Sequence, residues 1–594
     1  MLTYLAPEEG VLNVWVRTIG LNDDRPITHD RERGVQSYFW QPDSAHIIYT
    51  QDVGGNENFH VYQVDVATAE ARDLTPFDDI RAMVLAVDES HPDFMLVAMN
   101  QRVPQLFDVY RLYFATGELV MDTENPGDVA GWNADNDFVV RSATAMLPGG
   151  FQEIRIRENA ESEWKPFQQW GPDETLGGVA GFSPDNRSLW LISSVGANTS
   201  RLLEVDIASG TERVIAEDPQ YDVGGTELNP RTHALEAVAF VRAKVEWEIF
   251  DARVREDFEF LRGSHHGEIS INSRDYADRV WAIAYSADDA PARFFLYYRD
   301  EKRLEFLFDA RPDLAQYQLA KMEPVAIPAR DGLTLHSYLT RPLDGGERPP
   351  MVMLVHGGPW ARDAWGYSGL VQLLANRGYS VLQVNFRGST GYGKQFLNAG
   401  DREWAGRMHD DLLDAKAWAV SNGVADADRV AIMGGSYGGY ATLVALTYTP
   451  EEFACGVDIV GPSNLITLLE SIPPYWAPMR ALFDKRVGHL ENEPEFLKSV
   501  SPLFKADKIV RPLLIGQGAN DPRVKQPESD QIVAAMRAND KPVEYIVFED
   551  EGHGFVRPEN SMRFFAATEQ FLERYLGGRA EAPSEDEDWT SFSK

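Results

Sequence analysis

Nothing in this chain narrows its fold as much as one serine set between an apolar strand and an apolar helix. Val430 to Met433 is a short apolar run that reads as a buried strand. Tyr440 to Tyr448, with Ala441, Leu443, Val444, Ala445 and Leu446, is dense enough in apolar residues for a buried helix. Between them Gly434-Gly435-Ser436-Tyr437-Gly438 matches Gly-x-Ser-x-Gly. In that setting the pentapeptide makes a sharp strand-to-helix turn that exposes the serine oxygen. Glycines on both sides let the turn pack tightly and let a substrate approach. The same residues elsewhere would be a glycine-rich turn with a bystander serine, so the partners of Ser436 decide its meaning.

Those partners lie in residues 321–577, where short apolar runs alternate with helical segments. Met351 to Val355, Val381 to Phe386, Ala454 to Val460, Leu513 to Gly516 and Val543 to Phe548 read as strands; Tyr367 to Arg377, Asp410 to Asn422 and Ser561 to Tyr575 read as helices. Such alternation predicts a mostly parallel sheet with helices on both faces, and chemistry at the carboxyl ends of the strands. Asp521 follows the strand through Leu513, and His553, in Gly552-His553-Gly554, follows the strand from Val543. The order Ser436, Asp521, His553 is that of α/β-hydrolases. His553 would accept the serine proton, and Asp521 would orient the imidazole. Asp458, after the strand beyond the elbow, is the main rival acid, and Asp530, Asp540 and Asp550 are less well placed. An oxyanion hole needs two donors. The backbone N–H of Tyr437 supplies one, and the loop His356-Gly357-Gly358-Pro359 supplies the other, assigned to Gly358; His356 itself is suited to shaping that loop.

Residues 1–320 follow another grammar. Strand, Pro-Asp turn, strand, polar loop, strand, small-residue turn and strand recur, most clearly from Phe39 through Pro42-Asp43 to Asp73, and from Phe182 through Pro184-Asp185 to Gly210. The late turn falls near Asn22, Thr68, Thr116, Glu161, Ser209, 251–256 and Asp300. A period of about 46 residues predicts a β-propeller of seven four-stranded blades, with six or eight left open. The first turn comes too early for a whole blade before it. Trp40, Trp132, Trp190 and Trp247 read as core, and His265-His266 as a polar loop rather than a metal pair.

Composition excludes several function classes. With 56 basic against 92 acidic residues, the net charge of −36 argues against nucleic acid and anionic membranes as partners. The single cysteine, Cys455, permits no disulfide within the chain and fits a reducing compartment. No signal peptide or run of transmembrane length is evident, so a cytoplasmic protein is expected. No metal or other cofactor is called for. Residues 578–594 are acidic, and a disordered tail is expected there.

The chain resembles the prolyl oligopeptidase family of serine peptidases, in its acylaminoacyl-peptidase and dipeptidyl-aminopeptidase-like branch. The resemblance rests on His356-Gly-Gly-Pro359, Asn385-Phe-Arg-Gly-Ser-Thr-Gly-Tyr-Gly393, Gly434 to Gly439, Asp521-Pro-Arg-Val524 and Gly552-His-Gly554. It implies a propeller stacked over the hydrolase face, admitting short peptides and excluding folded proteins. It also implies that Arg523 contacts a substrate carbonyl. Gln517-Gly518 stands where relatives often carry His-Gly, and no paired acidic residues that would hold a free N-terminus are evident. The region from Ser463 to Trp476, with Leu465 and Leu468, is expected to line an apolar pocket. The function expected is peptide hydrolysis through an acyl-enzyme. The alternatives are a carboxylesterase with the same triad and a non-enzymatic propeller interaction protein; homo-oligomerisation is left open.

Overall fold

Short strands separated by tight turns can satisfy their backbone groups only by pairing with the next segment along, and that is how residues 2–309 fold. The computed structural model describes residues 1–175 and 177–582. Within it, seven antiparallel sheets follow one another in chain order as the blades of a β-propeller, five of them four-stranded. In five of the blades the turn between the first two strands is the same device. Ser44, Phe138, Asn186, His233 and Asp278 all sit at φ between 51° and 59°. An Asx side chain closes each turn onto backbone N–H groups. Asp43 Oδ1 accepts from Ala45 N at 2.9 Å, Asp135 Oδ1 from Asp137 N at 3.0 Å and Asn229 Oδ1 from Arg231 N at 3.0 Å. Ala134-Asp135 and Pro230-Arg231 belong to two of these turns, which form there without the Pro-Asp pair.

Two blades depart from the repeat. The first has three strands, Leu2–Glu8, Val11–Arg17 and Arg25–Pro26. It has one strand fewer before its late turn than the four-stranded blades, which accounts for the early first turn; Leu2–Glu8 has no second strand partner among the described residues. The sixth also has three strands, and the turn expected at 251–256 is instead the start of a helix, Ala252–Ser264. Asp251 caps it by accepting from Val254 N at 2.9 Å. Val254, Phe258 and Leu261, at i, i+4 and i+7, are buried against Trp281, Tyr285 and Phe295. His265 ends this helix and packs on the Phe295 ring at 4.6 Å.

The sheet of the second domain has eight strands: β1 (Met322–Pro328), β2 (Thr334–Thr340), β3 (Met351–Val355), β4 (Ser380–Asn385), β5 (Val430–Gly435), β6 (Cys455–Ile459), β7 (Leu513–Gly518) and β8 (Val543–Phe548). Their order is β1-β2-β4-β3-β5-β6-β7-β8, parallel from β4 onward. Apolar residues from both faces of the sheet enter two separate cores. The order, the parallel run and the covering helices are those of an α/β-hydrolase. Polar contacts tie it to the propeller: Arg33 to Glu551 at 2.6 Å, Lys394 to Glu174 at 2.8 Å, and Arg362 Nη1 to Val241 O at 2.7 Å. Past the last helix, residues 578–582 are held rather than loose. Arg579 N donates to Arg377 O at 3.0 Å and Glu581 N to Glu569 Oε2 at 3.1 Å. Residues 583–594, Trp589 included, lie outside the described residues. No helix among the described residues is long and apolar enough to cross a membrane.

The helix before the seventh blade carries a fully buried carboxylate. Asp257 receives Arg299 Nε at 2.8 Å and the Tyr297 hydroxyl at 2.7 Å, while Trp281 lies between the Arg299 and Arg274 guanidiniums, 4.3 and 4.4 Å from its ring centre. Lys302 Nζ, 2.5 Å from Asp257 Oδ1, still neutralises the carboxylate if Arg299 is lost, but the hydrogen bonds of a buried guanidinium go with it. Arg299→Ala is expected to destabilise the propeller by roughly 2–3 kcal/mol, read as a lower urea midpoint of tryptophan fluorescence; exposed Arg303→Ala should leave that midpoint in place.

Candidate active site

Ser436 ends β5 at φ 56° and ψ −118°, and the helix Tyr437–Tyr448 starts at the next residue. A non-glycine residue there stores about 1–3 kcal/mol of strain, sustained only where the surroundings leave no alternative. They leave none. A Cβ on Gly434 or Gly438 would stand 2.4 or 2.1 Å from Val355 O, and one on Gly439 would stand 2.1 Å from Asp458 Oδ1. Ser436 N donates to Ile459 O at 2.8 Å, and Ser436 O accepts from Tyr440 N at 3.0 Å. The Tyr437 side chain is buried between Phe386 and Trp404, with ring centres 5.2 and 4.8 Å away. Its backbone N–H is left at the helix start, among the groups a helix cannot satisfy internally.

Asp521 and His553 are brought together. His553 Nδ1 donates to Asp521 Oδ2 at 2.7 Å, while Asp521 Oδ1 accepts from Arg523 N at 2.8 Å and Val524 N at 2.9 Å. Their two loops are zipped by backbone bonds, Ala519 N to Phe548 O and Asn520 N to Glu551 O, both 2.9 Å. Gly518 permits this: a Cβ there would stand 2.1 Å from Gly552 O. Among the described residues no hydrogen bond joins Ser436 Oγ to His553, a contact that is often long without substrate.

Two of the rival acids are occupied elsewhere. Asp530 accepts from the Tyr545 hydroxyl at 2.7 Å, and Asp550 pairs with Arg557 at 3.0 Å. Asp458 lies across from Gly434 on β6, fully buried beneath the elbow. Its Oδ1 accepts from Gly461 N at 2.9 Å, and its Oδ2 has no partner among the described residues. Burial pushes its pKa up to about 8, so it is protonated at neutral pH.

The His356 loop lies against the serine. A Cβ on Gly357 would stand 3.4 Å from Ser436 Cβ, and Gly358 beside it is exposed. Burial lowers the pKa of His356, so its neutral ring donates from Nδ1 to Gly357 O at 2.7 Å, with Ser389 Oγ 2.9 Å from Nε2. The C=O and N–H of a trans peptide point oppositely. Tying down Gly357 O therefore turns the Gly358 N–H to the other side of that peptide.

Arg523 reaches the propeller, its Nε 2.6 Å from Glu57 Oε1. Glu57 also accepts from Arg81 Nη1 at 3.0 Å and the Tyr475 hydroxyl at 2.8 Å. Burial opposes ionisation of Glu57, but Tyr475, Arg523 and Arg81 outweigh it and hold the carboxyl below its ordinary range. Leu465 and Leu468 do not line a pocket. Leu465 is fully buried and Leu468 nearly so, both in the hydrolase core, because their short helix turns its apolar face inward. Trp360, two residues after Gly358, instead packs on Phe483, and Phe483 on Trp476, with ring centres 5.4 and 5.8 Å apart. Sequence reasoning missed Trp360, although its place directly after the His-Gly-Gly-Pro loop was a signal. It also missed Gln517, which is buried and donates to Gly518 O and Val524 O at 3.0 and 3.1 Å, bracing the Asp521 loop.

The profile of the prolyl oligopeptidase family matches residues 365–579. The chain is 48% identical to dipeptidyl aminopeptidase BIII of Pseudoxanthomonas mexicana, covering 100% of this chain and 88% of that one. It is 38% identical to dipeptidyl peptidase family member 6 of Caenorhabditis elegans, covering 97% and 84%. Among solved structures, a puromycin-hydrolyzing peptidase of Mycobacterium tuberculosis superposes with a TM-score of 0.78 at 20% identity, over 98% of this chain and 93% of that one.

Asp458 generates a pH prediction. Its folded pKa lies above its unfolded value, so between about pH 4 and pH 8 the folded state binds the extra proton and stability falls as pH rises, by about 1.4 kcal/mol per pH unit. Asp458→Asn removes that slope. The melting temperature of the variant relative to the parent is expected to climb from pH 5 to pH 8 and level off above.

Proposed function

The chain belongs to the prolyl oligopeptidase family of serine peptidases, and on that footing we propose that it removes dipeptides from the free N-terminus of short peptides. The whole-length identity to dipeptidyl aminopeptidase BIII supports the exopeptidase reading. Acylamino-acid-releasing enzymes, such as that of Arabidopsis thaliana, match at 26% over only 39% of the chain. The observation that carries the chemistry is the Asp521–His553 hydrogen bond of 2.7 Å at the strand ends beside a strained Ser436.

In this reading Ser436 Oγ attacks the scissile carbonyl carbon while His553 Nε2 takes its proton. Asp521 keeps the imidazole in the tautomer with Nδ1 protonated and stabilises the imidazolium that forms. The N–H groups of Tyr437 and Gly358 hold the oxyanion, at the helix start where the peptide dipoles favour negative charge. The imidazolium returns the proton to the departing amine, and water then releases the dipeptide from Ser436 by the same steps in reverse roles. Arg523, which Glu57 holds at the rim, is the donor for a substrate backbone carbonyl. Trp360, Phe483 and Trp476 form an apolar wall for the residue whose carbonyl is attacked.

Turnover of dipeptidyl anilides tests this directly. Free-amine substrates are expected to be cleaved and their N-acetylated counterparts left intact; the opposite preference would overturn the dipeptidyl reading. Ser436→Ala is expected to abolish both turnover and fluorophosphonate labelling. Asp521→Asn should lower kcat about 10⁴-fold, since the imidazole is then presented in the wrong tautomer.

A further inference from the structure

The propeller does more at this site than roof it. Its loop Asp52–Glu57, between the strands His46–Gln51 and His60–Asp65 of the second blade, sits on both catalytic loops at once. Gly54 O accepts from Asn520 Nδ2 at 2.9 Å, and Asn520 immediately precedes Asp521. Gly55 lies directly against Gly552, the residue before His553: a Cβ on Gly55 would stand 2.3 Å from Gly552 N, and one on Gly552 would stand 2.0 Å from Gly55 O. Arg33 spans the base of the loop and the histidine loop, 3.2 Å from Asp52 and 2.6 Å from fully buried Glu551. Glu57 closes the far end on Arg523, whose own N–H is one of the two that fix Asp521 Oδ1.

The conformation of the loop is built for this contact. Gly54, Gly55 and Glu57 have φ of 60°, 82° and 59°, three left-handed residues in a six-residue turn. Burial of apolar surface does not pull the loop down, for Val53 at its tip is 72% exposed. What it places on the second domain is backbone and charge, and it places them within two residues of Asp521 and of His553. A glycine pair in backbone contact tolerates no added atom, so the position of Gly552 is set by the propeller as well as by the hydrolase.

We propose that the Asp52–Glu57 loop is a positioning element of the catalytic pair: its docking on Asn520, Glu551 and Gly552 holds His553 in register with Ser436. The loop touches no reacting atom, and its effect is on the rate of the chemical step rather than on substrate affinity. The proposal rests on the serine peptidase reading above, and it is tested in the full chain.

Gly55→Ala is expected to lower kcat at least tenfold with KM within twofold, and to slow fluorophosphonate labelling of Ser436 in parallel, in protein that circular dichroism shows to be folded. Arg33→Ala should do the same and Arg33→Lys should recover part of the loss, which keeps the test alive if Gly55→Ala does not fold. A spectroscopic readout accompanies these. The downfield proton resonance of His553 Nδ1, observed in a Ser436→Ala background, is expected to broaden or shift upfield on adding Gly55→Ala or Arg33→Ala. Parental kcat together with an unmoved resonance in the folded variants would overturn the proposal. If the parent protein itself cleaves no dipeptidyl anilide, it is the functional reading that fails, and the resonance alone still decides whether the loop positions His553.

Discussion

The strained backbone of Ser436 is the constraint on which the rest of this structure depends. Its φ and ψ are those a serine leaves if it can, and the elbow can hold it only by giving the chain no room to relax. Val355 O from β3, Asp458 from β6 and the start of the following helix enclose Gly434, Gly438 and Gly439 so closely that none could carry a side chain. That enclosure explains why the helix Tyr437–Tyr448 is buried nearly all round, with apolar or small residues on every face. It also explains why an unpaired carboxyl is tolerated beneath it. Asp458 is neutral there, and a neutral acid with one hydrogen bond is far less costly to bury than a carboxylate.

What could be read from the sequence, and what could not, divides along the range of the interactions. The placement of Ser436, Asp521 and His553 beyond strand ends was legible because each follows its own apolar strand, and strand ends are visible locally. The propeller was legible because its turns repeat, down to the Asx residue that closes them. The helix at Ala252–Ser264 went unseen because the repeat set an expectation of a turn there, although Val254, Phe258 and Leu261 carry a helical period. Leu465 and Leu468 misled because a short helix offers apolar residues equally well to a core or to a pocket, and only the packing of neighbouring segments decides. Glu57, Gly55 and Arg33 had no local signal at all. Gly54 and Asn520 meet across 466 residues, and nothing in a polar Gly-Gly loop announces its partner.

The chemistry of the domain contact adds a final constraint. Where the propeller meets the hydrolase near the site, the contacts include Arg33–Glu551, Arg523–Glu57, Gly54–Asn520 and the glycine pair, with Lys394–Glu174 farther along. Polar contacts of this kind let domains move against each other more readily than a shared hydrophobic core would. The ion pairs are unequal, however. Glu551 is fully buried and takes Arg33, a backbone N–H and Asn560, so parting the domains would take the Arg33 cation from a carboxylate in a dry setting. Lys394 and Glu174 are partly exposed and lose far less to water. Of these two ion pairs, the one beside His553 is therefore the costlier to part.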